Sequence, residues 1–288
     1  MATGKGEQIR KLIAEKGQLV MPGVYDALSA KIAERSGFEV IFITGYSLSA
    51  TLLGQPDFGL LTQTEVIAAA TRICSVTRVP VIVDADTGYG NAINVIRTVE
   101  ELIRAGAAGM FLEDQVWPKR CGHMRGKQVI PVDEQLRKLR AAVDARKGSD
   151  FYIVARTDAR QALGLEEAIA RGRAFKECGA DAVFIEAPLT REEMAEIAAR
   201  VPGPLVANMI ERGDTPIMEA AELRRLGFAL VVWPLAPLFA AARALTDVYA
   251  TLRSSGSTAA VIDRLMPFDE FNAIVGLKEK YEQDEKYR

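Results

Sequence analysis

The nine residues CGADAVFIE, numbered 178–186, show the pattern that decides the fold. Gly179 suits the left-handed end of a helix, the apolar residues 182–185 suit a buried strand, and Glu186 closes that strand with a charge. A helix end with glycine also stands at residues 36–38, 105–107 and 226–228. The chain therefore repeats a unit in which a helix leads into a strand.

Eight short apolar runs are the candidate strands, at residues 19–21, 40–43, 81–83, 110–112, 152–154, 182–185, 205–207 and 230–233. Segments with helical spacing of apolar residues alternate with them, among them 26–36, 65–76, 95–105, 166–178 and 191–200. Nearly continuous apolar strands imply burial on both faces. Eight such strands in a chain of this length favour an α/β fold of the (β/α)8 TIM barrel type over an open doubly wound sheet.

Composition excludes several classes of protein. The 36 basic and 38 acidic residues leave a net charge of -2, so no cationic field draws the chain to nucleic acid or to anionic lipid. No apolar stretch approaches the roughly 20 residues that span a bilayer, and no signal peptide precedes the first helix, which predicts a cytoplasmic protein. Three scattered cysteines and one histidine exclude a Cys-based or multi-histidine zinc site.

The domain organisation follows from the same pattern. No linker divides the chain, which predicts one barrel domain over residues 1–288. Helical segments at about residues 238–253 and 268–281 exceed what the barrel needs. We expect this extension, about residues 238–288, to pack against the barrel or a neighbouring subunit.

Polar side chains close the predicted strands, at the end of a barrel where active sites lie. Strand three leads into Asp84 and Asp86, and because side chains alternate along a strand, these two carboxylates are expected on the same side. Later strands end in Glu113-Asp114, Arg156-Thr157-Asp158, Glu186 and Asn208. Five consecutive strands thus direct polar groups to one mouth.

Clustered carboxylates repel one another unless a proton or a cation is shared between them. A hard divalent cation, Mg²⁺ above all with Mn²⁺ as a substitute, relieves this repulsion with oxygen ligands from Asp84, Asp86 and Glu113. The alternative is structural: the two aspartates would cap the next helix or pair with Arg97 or Arg104.

Two further features bear on substrate binding. Arg156 is either a clamp for a substrate carboxylate or the partner of Glu186 in an ion pair. At the mouth of strand two, Thr44-Gly45-Tyr46 offers backbone N–H groups and hydroxyls to a carboxylate or enolate oxygen. The competing explanation for Gly45 is a tight turn.

The connection after strand four contains KRCGHMRGK, residues 119–127, and is long for a barrel loop, which is typical of an active-site lid. Four basic residues and His123 surround Cys121 and would lower the pKa of its thiol. This environment favours an acid-base role for Cys121 over a buried structural one.

The sequence resembles the isocitrate lyase and phosphoenolpyruvate mutase superfamily over nearly its whole length. The stretches that carry the resemblance are TGY (44–46), LGQPDFG (53–59), DADTGYG (84–90), LEDQ (112–115), KRCGH (119–123) and ARTDA (155–159). The resemblance implies a barrel whose last helix is exchanged between the subunits of a homotetramer. It also implies Mg²⁺ at Asp84, with Asp57, Asp86 and Glu113 contributing directly or through water.

Within the superfamily, the KRCGH loop is similar to the lyase branch, in which the cysteine protonates the carbanion-like product of a retro-aldol cleavage. The resemblance makes Cys121 the acid, with Lys119, His123 and Glu113 as further catalytic candidates. The small-molecule partner would be a 2-hydroxy or 2-oxo acid.

The implied reaction cleaves the C2–C3 bond of a substituted malate, of the 2,3-dimethylmalate or 2-methylisocitrate class, and releases pyruvate or glyoxylate. Mg²⁺ and the N–H groups of residues 44–46 would bind the 2-oxyanion and carboxylate, while Arg156, Glu186 and Asn208 hold the other half. Three alternatives stay open: a carboxyphosphonoenolpyruvate mutase, an oxaloacetate hydrolase and a non-catalytic oxyacid-binding barrel.

Overall fold

The structure, a computed structural model, describes residues 4–122 and 126–288. Eight parallel strands close into a barrel in chain order, with the last strand paired to the first. They are β1 (Leu19–Val24), β2 (Ile41–Ile43), β3 (Val81–Asp84), β4 (Gly109–Glu113), β5 (Tyr152–Thr157), β6 (Ala182–Ile185), β7 (Leu205–Asn208) and β8 (Phe228–Trp233). The predicted (β/α)8 barrel is confirmed, and every predicted run overlaps a strand.

Helices cover the outside of the barrel. They are α1 (Lys5–Lys16), α2 (Ala27–Arg35), α3 (Gly45–Leu48), α4 (Gln63–Cys74), α5 (Ala92–Arg104), α6 (Val132–Ala145), α7 (Ala159–Leu163), α8 (Leu165–Glu177), α9 (Arg191–Arg200), α10 (Ala220–Leu226), α11 (Ala236–Ser255), α12 (Phe268–Val275) and α13 (Leu277–Lys286). A π-helical turn, Ser49–Leu53, continues α3, and a 3₁₀ turn, Ala259–Arg264, follows α11. The sequence pattern did not single out α1, α6 or α10.

Capping explains where the helices start and stop. Asp26, Thr62 and Asn91 each accept a backbone N–H of the first turn of α2, α4 and α5, and each forms a reciprocal capping box. The glycines expected at helix ends are left-handed, with φ between 86° and 105° at Gly37, Gly106, Gly179 and Gly227. These glycines reverse the chain into the next strand, as the sequence predicted.

Apolar side chains fill the barrel interior in layers, because alternate residues of a strand point to the same face. The upper layer contains Phe42, Phe111 and Phe184, whose ring centroids are 4.6 Å (Phe42–Phe111) and 5.7 Å (Phe111–Phe184) apart. At the other end, Ile9 of α1 is fully buried against the first residues of the strands. Helix α1 therefore closes the end of the barrel opposite the polar mouth.

The helices after β8 are much less buried. Helix α11 has 20 residues and none of them is buried, although the helix contacts β1. Leu245 and Tyr249 are 52% and 63% exposed, and Leu252 follows them on the same side of the helix. No helix in the described part of the chain is both long and apolar enough to cross a membrane.

Candidate active site

Five polar side chains stand at the mouth of the barrel because each follows an interior apolar residue by two positions. The pairs are Ile82 with Asp84, Phe111 with Glu113, Val154 with Arg156, Phe184 with Glu186 and Val206 with Asn208. A cavity opens above them, lined by Phe42, Asp57, Asp84, Phe111, Cys121, Gly122, Arg156, Phe184, Glu186, Asn208, Ile210, Val232 and Pro234. Six of the predicted site residues thus line one space: Asp57, Asp84, Cys121, Arg156, Glu186 and Asn208.

Asp84 and Asp86 converge, but not for the reason expected from the sequence. Strand β3 ends at Asp84, and Asp86 lies in the turn beyond it with a φ of 48°, so strand alternation does not place Asp86. A Cβ atom on Gly45 would lie 3.1 Å from Asp84 Oδ2 and 3.3 Å from Asp86 Oδ1. The turn therefore brings both carboxylates to the small space that Gly45 leaves open.

The structural alternatives for these aspartates fail where the structure tests them. Asn91 caps the helix after β3 with its own side chain. Arg104 pairs with Glu100 and Glu101 on the surface. Neither Asp84 nor Asp86 is therefore the cap of α5 or the partner of Arg104.

The TGY stretch has a different geometry from the one predicted. Gly45 begins the short helix α3, and its N–H donates to Asp84 Oδ2 at 3.3 Å. The backbone of Gly45 is not left-handed, so a tight turn does not explain the glycine. The carboxylates of Asp84 and Asp86 approach this position too closely for a larger side chain. Thr44 is buried beside it and Tyr46 is half-buried. The N–H of Gly45 is therefore hydrogen-bonded to the Asp84 carboxylate, whereas the sequence analysis expected it to bind the substrate.

Lys119 lies between two of the predicted metal ligands. Its Nζ is 2.7 Å from Asp57 Oδ1 and 2.6 Å from Asp86 Oδ1, and its side chain is only 3% exposed. Burial alone would lower the pKa of Lys119, but the surrounding carboxylates raise it well above its usual range. Burial raises the pKa of Asp86 to about 7 against the opposing effect of Lys119. Lys119 therefore neutralises part of the negative charge of these carboxylates, a role that the sequence analysis gave to a metal ion alone.

The two carboxylate oxygens of Glu113 differ in their contacts. Its Oε2 is 3.2 Å from Arg156 Nε, whereas the buried Oε1 has no hydrogen-bond partner in residues 4–122 and 126–288. Burial raises the pKa of Glu113 well above its usual range, although Arg156 acts in the opposite direction. A buried carboxylate oxygen with no partner is costly unless a proton or a cation satisfies it.

The acids do not form a preassembled cage. Within residues 4–122 and 126–288, no group of three or more His, Cys, Asp or Glu side chains has the geometry to hold a metal ion. The ion pairs of Lys119 and Arg156 explain this, since their cations occupy oxygens that a metal would use. Ligand assignment for Asp57, Asp84, Asp86 and Glu113 therefore stays a prediction.

Arg156 is the centre of a buried network beside the same cavity. Its Nε and Nη2 donate to both oxygens of Asp158, at 2.9 and 3.1 Å, and Nη2 also lies 3.1 Å from Glu186 Oε2. Asn208 Nδ2 donates to Glu186 at 3.1 Å, while the buried Asn208 Oδ1 has no hydrogen-bond partner among the described residues. The ion pair and the clamp are thus compatible, because Arg156 is paired with Glu186 and also lines the cavity.

The cysteine of the KRCGH loop lies at the cavity wall. Cys121 N–H donates to Asp57 O at 3.2 Å, which ties the loop to the acid cluster. Two of the four basic residues of this loop have partners of their own: Lys119 pairs with aspartates, and Arg120 stacks over Phe58 at 5.6 Å. His123 lies outside the described residues. A lowered thiol pKa at Cys121 accordingly remains a prediction.

The sequence analysis named Asp114, Asp158 and Lys127 but assigned them no partners, and it did not find Arg171. Asp158 and Lys127 are fully buried and paired at 2.5 Å. Asp114 accepts hydrogen bonds from Thr157 Oγ1 at 2.6 Å and from Arg171 Nη1 at 2.9 Å. The signal was present, since a charge inside an apolar stretch needs a partner, but the partner's identity depends on packing between distant segments.

Comparisons with known proteins place the chain in a family. A family model described as phosphoenolpyruvate phosphomutase matches residues 9–253. The chain is 52% identical over 284 residues to the chloroplastic carboxyvinyl-carboxyphosphonate phosphorylmutase of Arabidopsis thaliana, covering 97% of this chain and 84% of that protein. It is 47% identical over 280 residues to 2,3-dimethylmalate lyase of Eubacterium barkeri, covering 97% of each.

Solved structures agree with these relatives. A crystal structure of 2,3-dimethylmalate lyase superposes with a TM-score of 0.93 at 37% identity and covers 100% of this chain and 96% of the other. Oxaloacetate acetylhydrolase in complex with 3,3-difluorooxalacetate superposes with a TM-score of 0.93 at 38% identity, covering 98% and 97%. With the family model and these relatives in agreement over the barrel, the chain belongs to the phosphoenolpyruvate phosphomutase family within the isocitrate lyase superfamily.

Proposed function

We propose that this protein is a Mg²⁺-dependent carbon-carbon lyase that cleaves a substituted malate to a 2-oxo acid and a second carboxylic acid. The observation that carries the proposal is a single cavity lined by Cys121, by the acids Asp57 and Asp84, and by Arg156. Such a cavity can hold the two halves of a dicarboxylate apart and place a proton donor beside the breaking bond.

The residues present fit a hard divalent cation. Asp84 would bind Mg²⁺ directly, with Asp57, Asp86 and Glu113 contributing directly or through water. Two observations support this fit: the buried Glu113 oxygen that lacks a hydrogen-bond partner within the described part of the chain, and the open space at Gly45 beside two carboxylates. The bound cation supplies charge stabilisation to a 2-oxyanion, and Mn²⁺ would serve in its place.

The reaction requires two proton movements that this chain's residues can perform. The 2-hydroxyl of the substrate loses its proton to a base, the electrons of the C2–C3 bond pass to C3, and a carbonyl forms at C2. Cys121 gives its thiol proton to C3 and completes the second product. Arg156 pairs with the carboxylate next to C3, held in place by Glu186 and Asp158.

The lining of the cavity favours a dicarboxylate with alkyl substituents. Beyond the acids, Arg156, Asn208 and Cys121, the lining side chains are apolar, among them Phe42, Ile210, Val232 and Pro234. Arg156 is the one cation among the described lining residues, and a third carboxylate would need another. We therefore place 2,3-dimethylmalate ahead of 2-methylisocitrate as the substrate.

A second candidate function is a carboxyphosphonoenolpyruvate phosphonomutase, which the 52% identity to the Arabidopsis protein favours. Oxaloacetate hydrolysis is a third, favoured by the superposition on oxaloacetate acetylhydrolase. A barrel that merely binds oxyacids is least favoured, because a binder has no need of a cysteine beside the acids.

One assay separates these functions. The protein is incubated with Mg²⁺ or with EDTA and, in turn, with 2,3-dimethylmalate, 2-methylisocitrate, oxaloacetate and carboxyphosphonoenolpyruvate. Pyruvate, oxalate and phosphorus resonances are followed. We expect Mg²⁺-dependent pyruvate from 2,3-dimethylmalate. Failure to release pyruvate from either substituted malate would contradict the lyase proposal, and a new carbon-phosphorus resonance would support the mutase.

We also propose a homotetramer in which α11 packs on a neighbouring subunit. A 20-residue helix without a buried residue, with Leu245, Tyr249 and Leu252 on one side, supports a covering partner. Sedimentation of the wild type should give four times the mass of the chain, and Leu245→Glu should reduce it, whereas Thr246→Glu should not. A monomeric wild type would refute this assembly.

The cytoplasmic location stays a prediction.

A further inference from the structure

Lys127 stands out as a buried cation that the proposed reaction does not use. It follows the KRCGH stretch and its side chain has no exposed surface. Its Nζ donates to Asp158 Oδ1 at 2.5 Å and, through a short hydrogen bond, to the backbone carbonyl of Gly122. One ammonium group thus joins the loop that carries Cys121 to the carboxyl end of β5.

Asp158 is shared between two cations. It accepts both Arg156 nitrogens described above and the Lys127 ammonium, and its N–H donates to Asp114 Oδ1 at 2.9 Å. Burial by itself would raise the pKa of Asp158, but Arg156 and Lys127 together lower it. Asp158 is therefore an ionised carboxylate whose attraction for Arg156 is divided with Lys127.

The loop backbone rests directly on the Arg156 network. A Cβ atom placed on Gly122 would lie 2.2 Å from Glu186 Oε2 and 2.6 Å from Arg156 Nη2. The Gly122 carbonyl that Lys127 holds therefore belongs to a peptide packed against the clamp. Any shift of this peptide moves the adjoining Cys121 and the space around Arg156 together.

Removing the Lys127 charge would have two separate effects. Asp158 would attract Arg156 without competition, in a buried setting where such attraction is strong, and Arg156 would be less available to a carboxylate ligand. The Gly122 carbonyl would lose its donor, so the Cys121 backbone would be less well fixed. The first effect depends on the charge of residue 127, and the second depends only on a hydrogen-bond donor.

We propose that Lys127 is a positioning residue that sets the Arg156 clamp through Asp158 and the Cys121 backbone through the Gly122 carbonyl. The inference rests on the proposed function insofar as Arg156 binds a substrate carboxylate. It adds a residue outside the acid cluster, and it predicts that ligand binding and thiol placement can be separated by substitutions at position 127.

The test compares Lys127→Met, which removes charge and donor, with Lys127→Gln, which removes the charge but keeps a donor. Lys176→Met is the matched control, since the Lys176 ammonium bonds two backbone carbonyls at the far end of the barrel. Three quantities are measured in the full-length protein: the Mn²⁺ dissociation constant, the dissociation constant of 3,3-difluorooxaloacetate with Mg²⁺ by calorimetry, and the rate of iodoacetamide labelling of Cys121 by peptide mass spectrometry. The difluoro compound has a carboxylate next to C3, which is the group that Arg156 is proposed to bind.

We expect both Lys127 variants to bind 3,3-difluorooxaloacetate about tenfold more weakly, in line with a weakened charged contact between Arg156 and its C3 carboxylate. Mn²⁺ binding should stay within twofold of wild type. Lys127→Met should change the labelling rate of Cys121 severalfold and lower kcat by about 100-fold, as small misplacements of catalytic groups do. Lys127→Gln should leave labelling near the wild-type rate. Asp158→Asn combined with Lys127→Met should cost less than the product of the single effects.

Three results would overturn the inference: affinity for 3,3-difluorooxaloacetate unchanged in Lys127→Gln, affinity for Mn²⁺ and for the difluoro compound falling equally, or independent effects of the Asp158 and Lys127 substitutions. If Lys127→Met does not fold, the Gln variant decides alone. Wild-type protein that fails to bind the difluoro compound with Mg²⁺ also overturns it. If no substituted malate is cleaved while binding of the difluoro compound shifts as expected, the lyase proposal falls and the role of Lys127 stands.

Discussion

Replacing Gly45 by alanine should weaken metal binding without loosening the fold. The added Cβ would lie 3.1 Å from Asp84 Oδ2, 3.3 Å from Asp86 Oδ1 and 3.4 Å from Lys119 Nζ. The first two distances are tighter than nearly all ordinary contacts of a Cβ atom, so the carboxylates must move by a few tenths of an ångström. The backbone of residue 45 is helical, so alanine meets no conformational strain there.

The size of the effect follows from these contacts. Crowding of this kind costs about 1–3 kcal/mol, which corresponds to about 5–150-fold in metal affinity if it acts on the bound state. In the absence of metal, the carboxylates can relax, and alanine gains up to about 1 kcal/mol of helix propensity over glycine. We therefore expect the free energy of unfolding to change by less than about 1 kcal/mol while Mn²⁺ affinity falls at least about fivefold.

The assay combines calorimetric Mn²⁺ titration with urea unfolding in EDTA. Gly172→Ala is the matched control. Gly172 lies in helix α8, and a Cβ atom there would meet the apolar side chains of Val201, Val183 and Ile185 at 3.1 to 3.3 Å. The control should keep the wild-type Mn²⁺ affinity. Gly45→Ala with Mn²⁺ affinity within twofold of wild type would refute the claim that the space at Gly45 belongs to the metal site.

Three further predictions test the chemistry and its support. Cys121→Ser should lower pyruvate release by about 10²–10⁴-fold, the usual worth of a general acid, while oxalate binding measured by calorimetry stays within twofold; full activity would remove Cys121 from the mechanism. Asp84→Asn should make Mn²⁺ binding undetectable by the same titration, and retained binding would reassign the direct ligand. Arg171→Met should reduce the free energy of urea unfolding by about 3–5 kcal/mol because it leaves the buried Asp114 carboxylate without its cation. Adding Asp114→Asn should restore part of that loss, and no restoration would show that packing of the Arg171 side chain dominates.

The sequence predicted the barrel and the mouth because both follow from local patterns. Apolar runs with glycine-ended helices define strands, and a charge two positions beyond an interior residue must lie at the strand end. That rule located Asp84, Glu113 and Arg156 at the mouth without any comparison. The sequence pattern predicts these positions because the direction of a strand side chain depends only on its place along the same strand.

Other parts of the site depend on contacts between distant segments and could not be derived this way. Asp57 lies in an irregular loop and was indicated only by family resemblance, and its pairing with Lys119 joins residues 62 positions apart. Asp86 was expected on the strand and lies in a turn with a positive φ. The partners of Lys127 and of Asp114 likewise depend on how loops and helices pack around the barrel. A charged residue in an apolar stretch predicts that an ion-pair or hydrogen-bond partner exists, but it does not identify the residue that supplies it.

The alternation of interior residues along the strands has a consequence for how such a chain can change in length. Inserting one residue within β5 would turn Arg156 toward the helix layer and bring an apolar neighbour to the mouth, because one position reverses the direction of every later side chain in the strand. The segments between strands have no such constraint. Insertions and deletions in this protein and its descendants should therefore accumulate in the connections, where they can reshape the cavity rim while the acids and Arg156 keep their positions.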